Sequence, residues 1–340
     1  MKDHNSKQNK EGTETILPCE TMKKMRNAGY FFAGKKKTAA VKVCMYAKRS
    51  ICEKGECYKN QFYGIRSHRC LQMTPNIHYC NFRCKFCWRD MSITKEDLKE
   101  ISDAPIEILD DCIAQQKVAL NGFPGNPNAK QDKVKEAMSP AHVAISLSGE
   151  PTFYPHLSEF IQECHKRKMS TFLVTNGSNP NVLEKLEKEN ALPTQLYISL
   201  TSFDEDSHLL INRPKKSFWL EFQKSLEVMK KLTEAKKTRT VLRMTIARGM
   251  NLEKTTEQFA GIINKAKPNF VEVKSYMAIG AGRKEMTPAA MPTIEELRSF
   301  AKELAEKTGY LTTDEHKASR CILLCKDEWA QENRKIKFEI

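Results

Sequence analysis

From Leu71 onward the apolar positions switch repeatedly between two spacings. Short stretches with continuous or alternate apolar residues, at 71–76, 142–148, 170–175, 195–201, 240–247 and 270–276, predict six strands. Between them, 105–120, 157–168, 181–189, 218–235 and 255–266 space their apolar residues three and four apart and predict helices. Pro105, following Asp103 and Ala104, suits a first helical turn. Strands that alternate with helices imply a parallel sheet. Residues 293–308 predict a closing helix, and 309–340 a terminal extension. Upstream, Met22, Met25, Ala28 and Phe31 or Phe32 predict one face of a short helix across 20–34 that ends at Gly34. Residues 1–21 read as a flexible tail.

A chain of 340 residues accommodates one large α/β domain, or a core with an extension. With 29% charged and 40% hydrophobic residues the balance is that of a folded chain, and no window approaches the run of about 18 apolar residues that a membrane span needs. The first 14 residues carry no apolar signal core, so a cytoplasmic location without membrane contact is expected. Net charge is +14, and the first 60 residues hold 14 Lys and Arg against 6 Asp and Glu. Such a surface favours a polyanion, most simply nucleic acid, although a lysine-rich surface also serves solubility. The run Lys35-Lys36-Lys37 is either an anion-contacting edge or a solvated loop, with the loop preferred.

Twelve cysteines in a chain of this kind point to metal or redox chemistry. Cys80, Cys84 and Cys87 lie on one short stretch with C-x3-C-x2-C spacing. Three thiolates can hold three corners of a cubane cluster and leave the fourth iron open. The spacing, with Phe86 and Trp88 beside it, resembles that of the radical S-adenosylmethionine (SAM) enzymes, in which SAM takes the open iron. A zinc knuckle is the alternative, but zinc sites usually bring paired cysteines with downstream partners. A second series, Cys44, Cys57 and Cys70, has twelve residues between members. This wider spacing enforces nothing by itself, and Cys52 lies in the interval. If the segment wraps over a domain, the three thiolates would serve a second cluster.

The stretch from Cys57-Tyr58-Lys59 through Phe62-Tyr63-Gly64-Ile65-Arg66-Ser67-His68-Arg69-Cys70 to the Cys80 motif resembles the tRNA wybutosine synthase family. In archaea its members are 4-demethylwyosine synthases. The likeness continues through 122–127, 142–152 and 272–277, and on to His316 and Ser319-Arg320. It implies an α/β partial (β/α)6 TIM-like barrel of radical SAM type with an N-terminal cluster-binding extension and a C-terminal extension. The expected divisions are 1–21 tail, 22–70 basic extension carrying auxiliary ligands, 71–290 barrel and 291–340 closing helix and extension. Reactive groups of such folds gather at the C-terminal ends of the strands.

The resemblance implies two 4Fe-4S clusters, one binding SAM on Cys80, Cys84 and Cys87, and one auxiliary on Cys44, Cys57 and Cys70. It makes Ser148, Gly149 and Glu150 a SAM-binding segment, and strand-end position adds Asn176 and Ser199. Lys59 would form a Schiff base with pyruvate as co-substrate. The implied reaction takes hydrogen from the N1-methyl group of N1-methylguanosine in phenylalanine tRNA, adds that carbon to pyruvate, loses the pyruvate carboxyl as a one-carbon fragment and closes a third ring. Eukaryotic relatives carry a flavodoxin-like domain ahead of the barrel. Here an external electron donor such as flavodoxin or ferredoxin is expected, and a monomer.

Arg243 and Lys274 sit within apolar strands, where each would bind a carboxylate or form a structural ion pair. Cys112 and Cys164 read as buried helix positions. Cys321 and Cys325 read as one helix face, with a redox pair as the alternative. Two rival functions remain: a radical SAM enzyme with an auxiliary cluster acting on a small molecule or peptide, and a non-catalytic iron-sulfur or zinc protein that binds RNA.

Overall fold

The strands and helices form where the apolar spacing places them, with boundaries moved by one to three residues in most cases. The computed structural model describes residues 17–90, 93–94 and 102–337; the first 16 residues of the expected tail lie outside the described residues. In chain order it begins with α1 (Cys19–Asn27), β1 (Phe31–Ala33), β2 (Ala39–Val41), α2 (Met45–Ile51), α3 (Tyr58–Tyr63) and β3 (Cys70–Thr74). The repeating part follows: α4 (Pro105–Leu120), α5 (Gln131–Ala137), β4 (His142–Ile145), α6 (Leu157–Lys166), β5 (Ser170–Thr175), α7 (Pro180–Lys188) and β6 (Gln195–Leu200). It continues as α8 (Glu205–Asn212), α9 (Trp219–Glu234), β7 (Arg239–Ile246), α10 (Thr256–Ala266), β8 (Phe270–Ser275) and α11 (Ile294–Thr308). The last elements are β9 (Leu311–His316), β10 (Cys321–Cys325) and α12 (Glu328–Glu332).

Contacts divide the chain into two compact units. One holds residues up to 56, 66–80 and 92–171, and the other 57–65, 81–91 and 172 onward. In the first, β1 and β2 pair antiparallel, β2 pairs antiparallel with β3, and β3 runs parallel to β4. Pro105 opens α4, which buries Ile108, Leu109, Cys112 and Leu120. Ahead of that helix Asp103 is buried and accepts bonds from Lys36 N, Thr38 N and Thr38 Oγ1. It thereby closes the loop of the lysine run. Lys35 pairs with Glu107, and Lys37 lies 3.9 Å from Asp111, so α4 neutralises two of the three charges.

In the second unit β5, β6, β7 and β8 run parallel, and β10 joins β8 antiparallel with β9 beyond it. Successive parallel strands with intervening helices give the expected barrel-type repeat. The register sets Ser199 beside Arg243 and Arg243 beside Glu272. Side chains two apart share a face, so Tyr197 and Ser199, Arg239, Val241 and Arg243, and Phe270, Glu272 and Lys274 form three facing rows.

Two expectations are corrected. Phe31 and Phe32 leave the predicted helix for β1, where Phe32 is buried and both pair with residues of β2; pairing satisfies the backbone that a frayed last turn would leave open. Cys321 and Cys325 lie on a strand, not a helix. β10 is buried at all five positions, and a five-residue apolar run is ambiguous between the two states.

Candidate functional site

The approach to Cys80 is built in the first unit by hydrogen bonds to main-chain carbonyls, shared with the segment after β4. Thr74 Oγ1 donates to Ser148 O (2.6 Å), Ser148 Oγ to Ile77 O (3.0 Å), Asn76 Nδ2 to Glu150 O (2.8 Å) and Glu150 N to Tyr79 O (2.6 Å). Gly149 has φ +71, and a Cβ there would strike the carbonyl oxygens of Asn76 and Tyr79. Its freedom is thus used against this backbone. Glu150 is 2% exposed, and its Oε1 accepts from Thr152 N (3.2 Å) and Thr152 Oγ1 (2.8 Å).

Residues 81–88 belong to the second unit and are bracketed from two sides. The last carbonyls of α8 accept from the loop: Arg83 N reaches Asn212 O (2.9 Å) and Lys85 N reaches Ile211 O (3.0 Å). These are carbonyls that a helix end leaves without an intrahelical partner. On the other side runs the turn 280–284, where Ala281 N donates to Trp88 O (3.0 Å). Gly280 has φ +58, and any Cβ on it would collide with Trp88 O; a Cβ on Gly282 would come within 3.1 and 3.2 Å of the carbonyl oxygens of Phe86 and Cys87. Arg213, just past α8, closes the bracket through Glu285 at 2.9 Å.

Side chains fill beneath the loop. Phe82 is buried against His208 and Phe218, and Asn176 Nδ2 donates to Asn81 Oδ1 (2.9 Å). Burial of His208 lowers its pKa to about 4. Cys87 N bonds Cys84 O (3.0 Å), forming a tight turn between two of the thiols, and Cys80, Cys84 and Cys87 are all half-buried. Burial raises the Cys87 thiol, whereas the Arg89 N–H and guanidinium lower it. Half-exposed thiols on a loop whose backbone is already held suit a cluster that takes three Cys ligands. Among the described residues no three His, Cys, Asp or Glu side chains are gathered as a single-ion site.

A second cluster of reactive groups lies within the second unit. Lys59, on α3, is half-buried, with its Nζ 4.9 Å from the ring centre of Phe172 and 4.4 Å from that of Tyr197. Glu272 is fully buried and accepts from Tyr58 OH (3.0 Å) and Tyr63 OH (2.8 Å), and Arg243 Nε lies 3.9 Å away. Burial raises the phenols of Tyr58, Tyr63 and Tyr197 well above their ordinary range. Arg243 is raised, with Tyr58 the largest cause and Glu272 also contributing. Lys274 is lowered by burial, and its Nζ donates to Ser319 O (2.5 Å). Tyr58, Tyr63 and Glu272 lie in the stretches that carry the family likeness but were given no role of their own, and Asn212 was not singled out; a glutamate inside an apolar strand run was a further signal.

Cys57 lies just ahead of α3 and Cys44 just ahead of α2, and Cys70 opens β3. Cys44 and Cys70 fall in the first unit and Cys57 in the second. Cys44 and Cys52 pack against the same apolar group, which includes Val43, Ile51 and Leu120. Asn176 touches the cysteine loop, and Ser199 stands on β6 in register with Arg243.

Comparison with known proteins adds the following. Residues 77–260 match the Radical SAM superfamily model and 265–326 the model for wyosine base formation. A protein of Pyrococcus horikoshii named S-adenosyl-L-methionine-dependent tRNA 4-demethylwyosine synthase is 41% identical over 92% of this chain and 90% of its own length. One of Methanocaldococcus jannaschii with the same name is 38% identical over 94% and 99%. A human relative is 33% identical over 94% of this chain but only 43% of its own length. The solved structure described as TYW1 with a lysine-pyruvate adduct bound superimposes with a TM-score of 0.81 at 35% identity, over 94% of this chain and 98% of that one. The crystal structure of archaeal TYW1 gives 0.75 at 34%, over 94% and 100%.

Proposed function

The chain belongs to the SAM-dependent tRNA 4-demethylwyosine synthases of the radical SAM superfamily, and from that membership we propose that it condenses N1-methylguanosine, beside the anticodon of phenylalanine tRNA, with pyruvate. The observation that carries the reading is Lys59, a half-buried lysine seated on the rings of Phe172 and Tyr197, in a chain that superimposes on a structure described with a lysine-pyruvate adduct. Cys80, Cys84 and Cys87 would hold the cluster that binds SAM, with Ser148, Gly149, Glu150, Asn176 and Ser199 along the SAM side. Held there, a 4Fe-4S cluster supplies one-electron cleavage of SAM to methionine and a 5′-deoxyadenosyl radical. Cys44, Cys57 and Cys70 would hold an auxiliary cluster.

Lys59 condenses through its neutral amine with the pyruvate ketone, releasing water and leaving the carboxylate free. Arg243 and Lys274 are cations of the same interior, so a carboxylate entering it meets two positive groups against the single charge of Glu272. The electron comes from an external donor such as flavodoxin or ferredoxin, and the protein acts as a cytoplasmic monomer. Among the described residues no helix is long and apolar enough to cross a membrane.

Incubation of the reconstituted protein with methylated tRNA, SAM, pyruvate and a reductant should yield 4-demethylwyosine by nucleoside mass spectrometry. Lys59→Arg keeps a cation over the two rings but cannot condense, so SAM cleavage should persist while the tricyclic base falls below detection. Product formation by that variant at the unaltered rate would refute the role of Lys59.

A further inference from the structure

The turn 280–284 bears on the cysteine loop and also faces outward. Toward the loop the turn presents glycine: a Cβ on Gly280 would strike Trp88 O, and one on the buried Gly282 would press on the carbonyls of Phe86 and Cys87. The outward side carries Arg283 and Lys284, both exposed, next to Ile279, which is 51% exposed. Arg283 is the one arginine among the described residues whose side chain has no hydrogen bond, ion pair or aromatic ring contact. Lys284 likewise has no ion pair there. The neighbouring acid does not balance them, since Glu285 is taken by Arg213. This contrasts with Lys35 and Lys37, whose charges α4 answers with Glu107 and Asp111.

The segment is also anchored. Tyr276 OH donates to Met286 O (2.9 Å), Ala281 N to Trp88 O and Arg213 to Glu285. Two cations with no carboxylate partner among the described residues are therefore held on a fixed turn next to the proposed radical-generating loop, in a chain of net charge +14. Fixed cations with no carboxylate partner are suited to phosphate, and the guanidinium can take it bidentately.

We propose that Ile279, Arg283 and Lys284 form a contact surface for the RNA substrate, with Arg283 and Lys284 on backbone phosphates immediately beside the cysteine loop. Because the same turn rests on Phe86, Cys87 and Trp88, RNA seated there is in position to deliver its target base to the radical. The proposal rests on the reading of the chain as a tRNA-modifying enzyme.

The test uses the full chain with reconstituted clusters and phenylalanine tRNA transcript bearing N1-methylguanosine. R283A/K284A should bind this tRNA about tenfold more weakly at moderate salt, and the slope of log affinity against log salt should shrink by about 1.5. R283K/K284R, which keeps both charges, should restore affinity and slope. Iron content and the paramagnetic resonance spectrum of the reduced protein report whether the alanine variant has kept its loop. Wild-type affinity and salt slope in R283A/K284A would overturn the proposal, as would equal weakening in the charge-conserving variant. If the wild-type protein binds the tRNA but makes no tricyclic base, the assigned reaction fails instead, and the binding result still decides the surface.

Discussion

The cysteine loop and the lysine pocket are held by opposite means. Around residues 80–88 the supporting bonds come mainly from the main chain: carbonyls of Ile211 and Asn212, the amide of Ala281, and glycines where any side chain would intrude. Around Lys59 the work falls to buried side chains, with Glu272 serving two phenols and facing Arg243. A loop fixed by its backbone leaves its thiols half-exposed and available to a ligand. A pocket fixed by side chains has its electrostatics committed on folding, since each buried charge needs its partner. The first region should therefore keep its shape when a functional side chain is removed, and the second should not.

The largest effect that would break this comparison is on chemistry. Replacing Cys80, Cys84 and Cys87 together by alanine should reduce SAM cleavage to background under anaerobic reconstitution; cleavage at the wild-type rate would remove the loop from its role. The next contrast is in stability. Glu272→Ala strands two buried phenols and Arg243, so chemical denaturation should show a loss of about 3–5 kcal/mol, whereas Cys84→Ala should change stability by less than about 1 kcal/mol. Similar losses for both would erase the distinction.

The smallest effect concerns acid. His208 is 1% exposed beneath the loop, with a folded pKa of about 4. Its unfolded value is about 6.5, so between these pH values the unfolded chain binds more protons and stability falls as pH falls. The contribution is complete above about pH 6.5 and fades toward pH 4, amounting to no more than about 3 kcal/mol. His208→Gln should flatten that slope in denaturation measured from pH 7 to pH 4. An unchanged slope would show that His208 is not the group responsible.

Much of the fold could be read from the residues because it rests on local periodicity. Ser170–Thr175 and Pro105–Leu120 form as expected, since alternating or three-four apolar spacing already selects the element. The short pieces escaped. β1, β2, α2 and α3 have three to seven residues each, too few for a period to register, and tertiary pairing creates them. Of the site, the Cys80 spacing and the family likeness were legible. Glu150, through its main chain, bonds Asn76 and Tyr79 ahead of the cysteine loop, and Asn176 bonds the Asn81 side chain within it, contacts that depend on residues distant in sequence.

The sequence alone determined the alternation of strand and helix, the family, and the three-cysteine spacing, all of which are local patterns or contiguous motifs. Only the tertiary structure decided which cations are answered and which are not. Lys35 and Arg283 look alike in the chain, yet one meets Glu107 across 72 positions and the other meets no carboxylate among the described residues. Coulombic pairing depends on distance in space, and the chain order carries no record of it.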